Sequence, residues 1–83
     1  MRREEIWSVS IARITAFFDI QQDITKTTAG YQYQDCRITL TALPPKETAR
    51  FAVPRTLVVF EGSDEAVSAI YHRFLIQFLT AGG

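Results

Sequence analysis

The clearest hydrophobic pattern in the chain runs from Arg55 to Thr80. Leu57-Val58-Val59-Phe60 is an unbroken apolar run of β-favouring residues closed by Gly62, which suits a strand buried on both faces. The turn Glu61-Gly62-Ser63-Asp64 then leads into a helix. Ser63 is a good N-cap, because its hydroxyl can accept from a first-turn amide that has no partner inside the helix. Asp64 and Glu65 set negative charge against the positive end of the helix dipole, and Gly82-Gly83 supplies a stop. At about 3.6 residues per turn, Val67, Ile70, Tyr71, Phe74 and Phe78 form one stripe that should face the sheet.

Leu75, Ile76 and Leu79 lie away from that stripe, among Glu65, Ser68 and His72. Apolar side chains so close together make a patch rather than scattered exposure. Burying each would contribute roughly 1.5–3 kcal/mol before the costs of association. A twofold-related copy is the simplest cover. The expected product is a homo-oligomer, a dimer or higher, with Ser68, His72, Leu75, Ile76 and Leu79 at the subunit interface.

Upstream the pattern is less decisive. Between Glu4 and Ile24, a strand reading alternates Trp7, Val9 and Ile11, then changes phase to Ala12, Ile14, Ala16, Phe18 and Ile20, which requires a bulge or bend. A helix reading puts Trp7, Ile11, Ile14 and Phe18 on one stripe, with Val9 and Ile20 turned away from it. Periodicity leaves the two nearly even. Composition, rich in Ile, Val, Thr, Phe and Trp, favours a long bent strand.

Asp23 to Gly30 reads as a polar connection with Gly30 free to take a positive φ. Tyr31 to Leu43 alternates as one strand, with Cys36, Ile38, Leu40 and Ala42 on the core face. Tyr31, Tyr33, Asp35, Arg37, Thr39 and Thr41 fall on the other. Pro44-Pro45 should end it, Lys46 to Arg50 is a charged connection, and Phe51-Ala52-Val53 forms a short edge segment before Pro54. The expected architecture is a single α+β domain over residues 1–83, in the order β–β–(β)–β–α. Three to four antiparallel strands carry the C-terminal helix on one face.

Length and composition narrow the class. Eighty-three residues give a core that is marginal by itself. The 47% hydrophobic and 22% charged content is that of a globular chain. Nine basic residues cancel nine acidic ones, so no whole-chain field draws nucleic acid or an acidic membrane. The single cysteine excludes an internal disulfide, no secretory signal is visible, and no apolar run approaches the roughly 20 residues of a membrane span. A cytoplasmic location is the expectation.

Candidate chemistry is sparse. His72 is the only histidine, and it stacks beside Ser68 and Glu65 on one straight helix, with no oxyanion site between them. No catalytic residue is assigned. A polar role at a subunit contact, which would make association pH-sensitive, fits His72 better. One histidine and one cysteine on different elements give no zinc site, and Cys36 reads as a buried, inert thiol. Lys46, Arg50 and Arg55 make one segment basic, and Tyr31, Tyr33 and Arg37 share a sheet face. Aromatic residues beside arginines hold single strands by stacking and phosphate contacts. Tyr31, Tyr33, Arg37, Arg50 and Arg55 are therefore the residues of an alternative nucleic-acid-binding reading. A small enzyme with an inter-subunit pocket drawing on His72, Glu61 or Glu65 is a third reading.

Leu57 to Phe74, with Phe60-Glu61-Gly62, Val67, Ile70-Tyr71 and Arg73, resembles the strand–helix unit of flavin-binding blue-light sensor domains of the BLUF family. The resemblance implies a ferredoxin-like shape at most. That family's flavin contacts include a first-strand tyrosine, an asparagine and a glutamine. Here the first segment has no tyrosine and the chain has no asparagine, so no cofactor is expected. The leading expectation is a small oligomeric binding domain, with a partner or small-ligand site where subunits meet.

Overall fold

The computed structural model describes residues 1–80, and the expected Gly82-Gly83 stop lies outside them. The fold is α+β. Its elements are β1 (Arg2–Trp7), α1 (Ile11–Asp19), β2 (Thr25–Lys26), β3 (Tyr31–Tyr33), β4 (Cys36–Glu47), β5 (Ala52–Glu61) and α2 (Asp64–Thr80). The strands form one five-stranded sheet in the order β1-β5-β4-β3-β2. Every neighbouring pair is antiparallel. Both helices pack on one face, where Ile14, Phe18, Ile38, Val58, Phe60, Ile70 and Phe74 are fully buried. This order of elements is not the β-α-β-β-α-β of a ferredoxin-like chain.

The C-terminal unit forms as its pattern dictates. Val58 and Phe60 are buried on the helix-bearing face of β5. Val59, on the other face, is shielded by its strand neighbours Glu4 and Thr39 rather than by a second layer. Gly62 is required at the turn, where a Cβ would meet Asp35 O at 2.6 Å and Cys36 Cα at 2.7 Å. Ser63 caps α2, its Oγ accepting from the Ala66 amide at 3.2 Å while donating to Asp35 Oδ1 at 2.8 Å. Val67, Ile70, Phe74 and Phe78 bury the stripe, with Tyr71 at its margin.

Several expectations are corrected, beginning with the sheet, which has five strands rather than three to four, in a chain ordered β–α–β–β–β–β–α rather than β–β–(β)–β–α. Residues 4–24 are not a long bent strand: they hold the end of β1, a short connection and α1. The phase change at Ile11-Ala12 marks a switch from period two to period 3.6, not a bulge. Ser10 starts the helix by accepting from the Arg13 amide at 3.3 Å. Burial of Ile14, Phe17 and Phe18 against the sheet outweighs the low helix propensity of the segment.

Tyr31 to Leu43 is likewise not one strand. Gln34, at φ 51°, and Asp35 turn the chain between β3 and β4, pairing Tyr33 with Cys36 and Tyr31 with Ile38. Paired residues share a face, so the tyrosines lie on the core side, opposite to the expected one. Finally, Pro44-Pro45 does not end β4. A register irregularity between Leu43 and Lys46 takes up the prolines. The pairing then continues to Glu47↔Ala52, so Ala52 and Val53 of the expected short edge piece begin β5 instead.

Ser10→Ala should lower stability by about 1 kcal/mol in urea unfolding, the usual cost of losing a helix cap. An unchanged midpoint would contradict a capped helix at this position.

Candidate interaction surface

The surface around β1 is built from the charged run Arg2-Arg3-Glu4-Glu5, which puts one arginine and one glutamate on each face. Arg3, Glu5 and Trp7 pair with Phe60, Val58 and Thr56, so they share the helix-bearing face. Arg2, Glu4 and Ile6 share the other. On the helix side, Glu5 is the fixed point. Its Oε1 accepts from Trp7 Nε1 at 3.0 Å, and its Oε2 accepts from Tyr71 Oη at 2.7 Å and Arg3 Nε at 3.2 Å. The Arg3 guanidinium also lies 4.0 Å from the centre of the Tyr71 ring. Burial, and then the Glu5 carboxylate, push the Tyr71 hydroxyl above the usual tyrosine range. This cluster ties α2 to β1, and Trp7 packs edge-on against Phe74 at 5.0 Å beneath it.

Tyr71 therefore marks the flank of α2 that stands over β1. One turn further, Leu75 continues that flank, and Ser68 and Leu79 lie beside it by helical spacing. His72 and Ile76 fall on the outward crown. Ser68, His72, Ile76 and Leu79 are exposed and Leu75 is half-buried. The five residues expected at a subunit interface thus occupy one continuous surface next to the end strand of the sheet. Glu65 is exposed on the same outward side, and Glu61 ion-pairs with Arg2 at 3.0 Å on the far face of the sheet. His72, Glu61 and Glu65 are therefore not convergent.

The other flank of α2 is pinned to the connection after α1. Arg73 donates to both carboxylate oxygens of Asp23, at 2.9 and 3.0 Å, and to Gln21 Oε1 at 3.1 Å. The guanidinium holds the Asp23 carboxyl below the usual range. Between the helices lies an open groove of about 400 Å³, floored by Phe17 and Phe78 and rimmed by Arg13, Ile20 and Gln77.

The residues of the nucleic-acid reading are dispersed. Tyr31 and Tyr33 are buried, at 4% and 8% exposure, so neither offers a ring face for a base. Arg37 is exposed on the far face of the sheet, Arg50 sits in the β4–β5 turn, and Arg55 Nε donates to Pro44 O at 3.1 Å. Cys36 is fully buried and burial raises its thiol pKa, as expected of an inert cysteine. Among the described residues, no group of three or more histidine, cysteine or acidic side chains could hold a metal ion. No helix among them is long and apolar enough to cross a membrane.

The β1–Glu5–Tyr71 arrangement was missed from sequence. Its signal is the period-two series Arg3, Glu5, Trp7, hidden when β1 is read through into α1. Comparison of the chain with protein-family models, with curated proteins and with solved structures finds no match.

Tyr31 gives a direct test of which face the tyrosines occupy. Burial, reinforced by Asp19 at 2.8 Å from its hydroxyl, pushes its pKa up to about 12. Folding favours the protonated phenol, so its stabilising effect is full below pH 10 and is lost as pH rises through about 12. Ultraviolet titration of Tyr31→Phe against the parent should remove a phenolate step near pH 12. Loss of a step near pH 10, the ordinary value, would place Tyr31 in solvent.

Proposed function

We propose that this chain is a small homo-oligomeric interaction domain, whose working surface is the junction between copies and whose partner or small ligand binds there. The observation that carries this reading is the second stripe of α2. Ile76 and Leu79 are 51% and 62% exposed on a helix whose first stripe, Tyr71 at its margin apart, is buried in the core. With half-buried Leu75 they form a contiguous apolar surface, the kind that marks an association site. Ser68 and His72 give it a polar margin, as interfaces have. A twofold copy presents the same patch and completes it.

Light scattering at tens of micromolar should give a multiple of the 9.4 kDa chain mass. Leu75→Glu and Leu79→Glu should each bring the mass down to one chain while leaving the far-ultraviolet circular dichroism intact. A monomeric parent, or variants that keep the parent's mass, would refute the proposal.

A further inference from the structure

We infer that two copies join by pairing β1 with its own twofold mate, antiparallel, with Glu4 on the axis, into one continuous ten-stranded sheet. This rests on the reading of the chain as self-associating and specifies the contact. β1 is an end strand, and among the described residues nothing pairs with its far side. The direction of its free backbone groups follows from the pairing on its other side. Met1 and Gly62 exchange both backbone bonds, the Gly62 amide donating to Met1 O at 3.0 Å and Met1 N to Gly62 O at 2.8 Å. Such bonded pairs alternate along an antiparallel ladder. Arg3 and Glu5 therefore also bond to β5, and Arg2, Glu4 and Ile6 aim their N–H and C=O groups outward.

An edge strand this charged ordinarily repels a second strand. The order of the charges reverses that outcome here. Arg2-Arg3-Glu4-Glu5 laid antiparallel on itself about Glu4 sets Arg3 opposite the partner's Glu5, on both sides of the axis. Within one chain Arg3 and Glu5 already lie 3.2 Å apart, so the two copies close a ring of four alternating charges. On the other face the two Glu4 carboxylates meet at the axis, a like-charge contact offset by each one's own Arg2 at 3.3 Å and by the partner's Arg2 diagonally opposite. This register uses all three outward-facing residues, because Arg2 bonds with the partner's Ile6 and Glu4 with its own copy. It also sets Met1 opposite the partner's Trp7, below the α2 flank that carries Leu75.

Cysteine cross-linking reads the register. A bonded antiparallel pair has its Cα atoms about 5.5 Å apart, within disulfide range. Glu4→Cys should therefore convert under mild oxidation to a band of twice the chain mass. Arg2→Cys, whose copies would sit roughly 13 Å apart along the strand, should not. Arg50→Cys, on the β4–β5 turn, is the background control, and the native Cys36 is buried. A mixture of Arg2→Cys and Ile6→Cys chains should cross-link to each other and neither to itself, which tests the same register with Glu4 intact. If the parent is oligomeric by light scattering but neither the Glu4→Cys chain nor the mixture cross-links above the Arg50→Cys background, the geometry is wrong while association stands. Self-linking of Arg2→Cys in preference to Glu4→Cys also overturns it. A monomeric parent removes both.

Discussion

The ring of Phe74 is the contact on which this small domain turns. It lies 5.0 Å from Trp7 of β1, 5.7 Å from Phe60 of β5, 6.0 Å from Phe18 of α1 and 4.8 Å from Phe78 of its own helix. Edge-on and stacked pairs of this kind contribute beyond the area they bury. One side chain thus draws the first strand, the first helix, the last strand and the last helix into a single cluster. A core built on so few large rings fixes α2 along one narrow stripe. The polar ties then set its rotation, with Glu5 holding Tyr71 on one flank and Asp23 holding Arg73 on the other. The apolar outward surface of α2 follows directly from that orientation.

What could be read from the sequence divides along physical lines. The strand Leu57–Phe60, the turn at Gly62 and the Ser63-capped helix were legible because propensity, turn chemistry and period agree there. The outward residues of α2 were legible for the same reason, since helical spacing fixes both stripes once one is known. Residues 4–24 misled because β1 and α1 abut through a short connection and share β-favouring residues, so composition argued against a helix that packing imposes. The β3–β4 turn was invisible because Gln34 and Asp35 replace the Asn-Gly or Gly-containing pairs that announce a tight hairpin. Missing that turn inverted the face of both tyrosines, and with it the aromatic platform of the nucleic-acid reading. Pro44-Pro45 stopped the expected strand because a register irregularity cannot be seen in one chain's pattern.

The sheet layout explains why β1 matters. A meander from β2 to β5 leaves β1 to add at the far side of β5, so the longer of the two end strands is also the one beneath α2. The opposite end, β2, is two residues long and offers little ladder to pair with. A chain with zero net charge places its densest charge cluster, Arg2-Arg3-Glu4-Glu5, along β1, with one arginine and one glutamate on each face. Among the described residues, the outer edge of β1 has no pairing strand, and it lies beside the apolar flank of α2.

Backbone amide hydrogen exchange measured over a range of protein concentrations tests the pairing of β1 with its own copy most directly. The amides of Arg2, Glu4 and Ile6 should slow as concentration rises, while those of the β4–β5 turn exchange at a constant rate. Equal rates for Arg2, Glu4 and Ile6 at every concentration would contradict it.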